Sequence, residues 1–113
     1  MGDEVPELDV DDALAAVEEG ACLLDVREPA EWDAGHAPGA VHVPMGDVQA
    51  RVDELPRDRR IVAICRSGAR SRTVAEYLLA GGFDAVNTVG GMKAWQAGGY
   101  DVVTDAGAPG VVA

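Results

Sequence analysis

Two periodicities alternate along this chain. Short runs that are apolar at nearly every position, such as Cys22-Leu23-Leu24 and Ile61-Val62-Ala63-Ile64, interrupt stretches in which apolar residues recur every three or four positions. The first pattern suits strands buried on both faces of a parallel sheet, and the second suits helices laid against it. In chain order the pattern predicts a short strand over Leu8 to Val10 and a helix capped by Asp11 or Asp12 and stopped by Gly20. A second strand runs from Cys22 to Val26, and Pro29, suited to a first helical position, opens a turn through Trp32. Residues 36 to 40 are loop, and Val41 to Val43 is a short strand closed by Pro44. Met45, Val48, Val52 and Leu55 form a helical stripe. The central strand is Ile61 to Cys65. A helix starting near Ser71 ends at Gly81-Gly82, the last strand is Ala85 to Val89, and a final helix, Met92 to Ala97, follows the Gly90-Gly91 turn.

This order predicts an α/β fold, a central, mostly parallel sheet with helices on both faces. With 113 residues, one domain spanning 1–113 is expected. Its core covers about residues 8–103, and the Gly-, Ala- and Pro-rich residues 104–113 form a mobile tail. Aromatic residues are only 4% of the chain, so aliphatic side chains must fill the core, again as in buried parallel strands.

Charge narrows the function classes. A net charge of −11 excludes nucleic acid and anionic membrane surfaces as partners, because polyanions are repelled. No window approaches the roughly 18 apolar residues of a membrane span. The acidic N-terminus lacks the apolar core of a signal peptide, and Pro6 stands where a myristoylation signal needs Ser or Thr. A soluble cytoplasmic protein with reduced thiols is expected.

Against that acidic background, three of the nine cationic side chains, Arg66, Arg70 and Arg72, cluster directly after Cys65. Ligands of open parallel sheets bind at the carboxyl ends of the strands, where Cys65 ends its own. The loop Arg66-Ser67-Gly68-Ala69-Arg70-Ser71 then enters a helix, whose free N–H groups and partial positive charge favour anions. Gly68 relieves the turn sterically. These features favour a thiolate over a thiol and attract a small anion to it. Cys22, between Ala21 and Leu23, reads instead as a small buried hydrophobe.

Three segments together resemble the rhodanese (thiosulfate sulfurtransferase) family in its small single-domain form: residues 23–44 (LLDVREPAEWDAGHAPGAVHVP), the loop CRSGARS, and residues 82–99 (GFDAVNTVGGMKAWQAGG). The loop shows no departure; Ala37 stands where the first signature commonly has a larger aliphatic residue. The resemblance implies a five-stranded sheet, a persulfide carried on Cys65, and a substrate cradle formed by Arg66, Ser67, Gly68, Ala69, Arg70 and Ser71. It implies a ping-pong cycle in which sulfur passes from thiosulfate or a persulfide donor to cyanide, a thiol or a protein acceptor. No cofactor is implied.

Asp25, at the same sheet edge, is a supporting candidate, with a structural alternative of bonding loop N–H groups or an Arg. His36 and His42 read as structural hydrogen-bonding groups. With Cys22 and Cys65 they lack the close ligand pair of a zinc site, so no metal is expected. Two other classes stay open. A cysteine phosphatase or arsenate reductase also places a thiolate in a cradle, but its loop is Cys-x5-Arg where this one is Cys-x4-Arg. A sulfur-relay or interaction module is compatible with every residue in the loop.

Overall fold

A computed structural model describes residues 4–113. Its elements are β1 (Glu7–Leu8), α1 (Val10–Glu18), β2 (Cys22–Asp25), α2 (Pro29–Ala34), β3 (Val41–His42), β4 (Ile61–Ile64), α3 (Ala69–Ala80), β5 (Ala85–Thr88) and α4 (Gly91–Ala97). The five strands form one sheet in the order β1-β5-β4-β2-β3, every neighbouring pair parallel. Strands β2, β4 and β5 are buried at every position, the polar Asp25, Asn87 and Thr88 included.

Alternation along the strands divides the core. Leu24, Ile61, Ala63, Cys65 and Ala85 face one layer, where α3 contributes Val74, Ala75 and Leu78. Leu23, Val62, Ile64 and Val86 face the other, where Ala13 of α1 and Met92 and Trp95 of α4 pack. Period-two geometry therefore places the side chain after β4, Cys65, on the α3 side.

Four local expectations shift. Strand β1 ends at Leu8, because Asp9, not Asp11 or Asp12, caps α1 by accepting a hydrogen bond from the Asp12 N–H at 2.9 Å. The 45–55 stripe is two 3-10 turns, Met45–Asp47 and Val52–Glu54. Gly46 and two β-branched valines weaken a continuous helix there, yet Val48 and Leu55 still reach the core. Helix α3 begins at Ala69, two residues before Ser71.

The tail folds back where mobility was expected. Val111 N–H donates to Ala34 O at 2.9 Å, Gly110 N–H to Val102 O at 2.8 Å, and Val112 packs on the α1–α4 layer. A Cβ on Gly35 would lie 2.6 Å from the Val111 backbone, so that glycine permits the tail's close approach. Backbone hydrogen bonds and the partly buried Val102 and Val112 hold this path, while the Val111 side chain stays 59% exposed. No helix among the described residues is long and apolar enough to cross a membrane.

Candidate active site

The Cys65 loop is short and braced on both sides. Gly68 caps α3 with φ +109°, a left-handed conformation costly for other residues. Behind it, Met92 N–H donates to Cys65 O at 2.8 Å and Lys93 N–H to Arg66 O at 3.0 Å. The backbones approach so closely that a Cβ on Gly91 would lie 2.3 Å from Cys65 O. The Gly90-Gly91 turn thus fixes the loop by contact as well as by its own conformation.

Helix α3 has no side-chain N-cap. Cys65 Sγ takes that place. It accepts from Gly68 N–H at 3.1 Å and from Ser71 N–H at 3.4 Å, and Ser71 Oγ lies 3.2 Å away. The N–H groups that a capping Ser or Asp would occupy elsewhere are directed here at sulfur. Cys65 is 1% exposed. Burial pushes its thiol up, but the donors a thiolate can draw on, the Ser71 hydroxyl and the Ser71, Gly68 and Ser67 N–H groups, outweigh it and hold the pKa below the usual thiol value.

The arginines are not free in the way their sequence positions suggest. Arg70 makes a two-pronged pair with Glu31 of α2, Nη1–Oε1 2.7 Å and Nη2–Oε2 2.9 Å. The Arg70 fork holds the Glu31 carboxyl down to about 2, against some opposing desolvation. Arg72 pairs with Glu7 at 3.2 Å. These two cations sit in the first turn of α3, the end where the helix dipole disfavours positive charge, and each carries a carboxylate from another element. Arg66 is exposed and donates from Nε to Ala113 O at 2.8 Å. Ser67 and Ala69 are exposed at the rim; Ser71 is fully buried beneath.

Asp25 does not touch this loop's hydrogen-bond network. It is buried against Arg27, accepting from Nε at 3.0 Å and Nη2 at 2.8 Å, while Nη2 also donates to Gly35 O at 2.8 Å. The pair ties β2 to the end of α2, the structural alternative for Asp25. His36 and His42 both stack on the Trp32 ring, with centroid distances of 3.5 and 4.7 Å. Their ring nitrogens bond Trp32 O at 2.9 Å and Arg27 O at 2.8 Å. Both histidines thus serve the β2–α2–β3 connection.

Glu31 and Asn87 are additions that the loop motif does not reveal. Asn87 is a buried amide that, with Thr88, interrupts the apolar pattern of β5, and that break is the signal available to find it. Glu31 is one of twenty acidic residues, with nothing local to mark it.

Comparison with known proteins agrees with this geometry. The rhodanese-like domain family model matches residues 9–98. YtwF of Bacillus subtilis is 49% identical over 74 residues, 66% of this chain and 72% of its own length. A sulfurtransferase of Allochromatium vinosum is 38% identical over 108 residues, 95% of this chain and 100% of its own. The crystal structure of a rhodanese-related protein from Thermoplasma volcanium superposes with a TM-score of 0.84 at 29% identity, covering 88% of this chain and 99% of that one.

Proposed function

Because the chain belongs to the rhodanese-like domain family, we propose that it is a sulfurtransferase that carries sulfur on Cys65. The observation that supports this most directly is the capping of α3 by the Cys65 sulfur, with two backbone N–H groups at 3.1 and 3.4 Å. Preorganised donors at that position stabilise a thiolate without the cost of reorganising solvent.

The cycle has two displacements. Cys65 thiolate attacks the outer sulfur of the donor, forming one S–S bond as the donor's bond to that sulfur breaks. The leaving group keeps the electron pair; from thiosulfate it is sulfite. A nucleophilic acceptor, cyanide or a thiolate, then attacks the outer sulfur, and Cys65 thiolate returns. Sulfur moves as a neutral atom in each step, so no external oxidant or reductant is consumed. A protein thiol serves the second step as well as a small one does, so relay between proteins is the same chemistry with a larger acceptor.

Arg66 and Arg70 are the groups able to hold an anionic donor. Arg66 is at the rim; Arg70 must first loosen from Glu31. Ser67, Gly68, Ala69 and Ser71 supply the backbone of the cradle. The loop has one residue fewer between Cys and Arg than a phosphatase loop, which favours a sulfur atom over a tetrahedral phosphoryl group.

The test runs two assays on one preparation: sulfur transfer from thiosulfate and from a small persulfide, and hydrolysis of an aryl phosphate. Cys65-dependent sulfur transfer without phosphatase turnover is expected. Steady phosphate release that disappears in Cys65→Ser would replace this reading with the phosphatase one.

A further inference from the structure

Behind Cys65, on the α3 side of the sheet, lies a polar chain in a position where the strand pattern predicts only apolar contact. Glu7 of β1 is the register partner of Asn87 in β5, and Ala63, two residues before Cys65, is the partner of Asn87 in β4. The three side chains Glu7, Asn87 and Cys65 are therefore aligned on one face by period-two geometry. Ser71, in the first turn of α3, closes the row: its Oγ is 2.6 Å from Asn87 Oδ1 and 3.2 Å from Cys65 Sγ.

The direction of these bonds follows from donor counting. Asn87 Nδ2 contacts Gly68 O at 3.0 Å and Glu7 Oε2 at 3.1 Å, both of which can only accept. Turning the amide over would set oxygen against two acceptors, so Nδ2 donates to both and Oδ1 must accept. Ser71 has a single hydroxyl hydrogen, and at 2.6 Å Asn87 Oδ1 holds it. Ser71 then presents a lone pair to Cys65. A Cys65 S–H can donate to that lone pair; a thiolate is repelled by it. To serve a thiolate, Ser71 must turn its hydrogen to sulfur and leave Asn87 Oδ1 buried without a donor, since Asn87 is 1% and Ser71 0% exposed.

We propose that Asn87 is a positioning residue that competes with Cys65 for the one hydrogen of Ser71, and so sets how readily Cys65 ionises and how strongly its charge is drawn outward onto a bound sulfur. In the persulfide the negative charge sits on the outer sulfur, away from Ser71, and the hydroxyl returns its hydrogen to Asn87. The competition disfavours the bare thiolate relative to the loaded form. The inference rests on Cys65 being the reacting group. Other charges facing the sulfur are already paired: Arg70 of α3 with Glu31 of α2, and Arg72 with Glu7 of β1. Asp25 and Arg27 beyond β2 close on each other, and Arg66 is exposed on Ala113 O.

The test measures the Cys65 ionisation midpoint in the full-length protein, by thiolate absorbance and by the pH dependence of iodoacetamide alkylation, with Cys22→Ser as background. Ser71→Ala should raise the midpoint. Asn87→Leu, which keeps the volume but not the acceptor, should lower it by about one pH unit, a tenfold change in the ionisation constant. In Ser71→Ala, adding Asn87→Leu should not lower the midpoint, because the Oδ1 acceptor acts on Cys65 through the Ser71 hydroxyl, whereas loss of the Nδ2 bond to Gly68 O can only loosen a donor to the sulfur. A midpoint that rises or stays put in Asn87→Leu, or falls equally in both backgrounds, overturns the proposal. Should Asn87→Leu fail to fold, the unsubstituted protein decides. The Asn87 side-chain amide resonances should move at the Cys65 midpoint, and that movement should vanish in Ser71→Ala; no movement, or movement that persists, overturns it. None of these readouts requires sulfur transfer, so they fail independently of the proposed activity.

Discussion

Cys22 and Cys65 are both buried and both belong to the layer that α3 covers, on neighbouring strands of one sheet. Their chemistry is set in opposite directions. Burial raises the Cys22 thiol, and Arg59 offsets this only in part. Burial raises Cys65 too, but there four donors within reach of a thiolate reverse the sign. The difference lies in which end of the sheet each occupies. Cys22 begins β2, where the chain arrives from the α1 turn and its sulfur meets side chains. Cys65 follows the last residue of β4, where a helix begins at once and turns its unpaired N–H groups back on the sulfur. Desolvation alone makes a cysteine inert; desolvation with donors aimed at the sulfur makes a nucleophile.

The strongest way to break this contrast is to remove each sulfur in turn. Cys65→Ser should abolish sulfur transfer, and Cys22→Ser should leave most of it; comparable losses would end the distinction. Mass spectrometry after thiosulfate treatment should find one added sulfur on the Cys65 peptide, removed by cyanide. Cys22 pairs in register with Ile61, four residues before Cys65, an offset on the order of 13 Å at about 3.3 Å per residue. A disulfide needs Cα atoms within roughly 7 Å, so no crosslink between the two is expected.

Arg70→Ala should weaken thiosulfate use on the order of 10- to 100-fold in kcat/KM, the scale of one or two charge-assisted bonds, and neutral persulfide use much less. Equal losses with both donors would make Arg70 a purely structural tie to α2. Glu31→Gln sharpens the same point from the other partner. It frees the Arg70 fork while an amide oxygen can still accept from the Glu28 N–H, so KM for thiosulfate should fall several-fold with kcat little changed.

The smallest effect is on acid stability. The Glu31 carboxyl lies near 2 in the folded chain against a usual 4.5, so its pairing contributes fully above pH 4.5 and is lost as pH falls toward 2. Urea midpoints should therefore drop more steeply over that window in the parent than in Glu31→Gln. Parallel curves would show that the pair does not stabilise the fold.

Much of this was legible in the chain. The apolar runs marked β2 and β4, because only strands buried on both faces need no polar alternation. The strand–Cys–Gly–helix order located the sulfur that meets helix donors, because helix N-termini supply unpaired donors wherever they occur. Local chemistry carried those inferences, and local chemistry is what a sequence displays. The partners of the charged residues were decided elsewhere. Arg70 meets a carboxylate 39 positions away, Arg66 a carbonyl 47 away, and Asn87 a carboxylate 80 away. Each of these contacts depends on strand order and on the side from which α2, β1 and the tail approach. The tail itself illustrates the point: its Gly and Pro content suggested mobility, but its backbone closes on Gly35 and Val112 packs on the α1–α4 layer. Sequence by itself determined which sulfur would stand at a helix N-terminus; only the packed structure decided which charges near it are paired, because pairing is a property of distance in space and not of spacing along the chain.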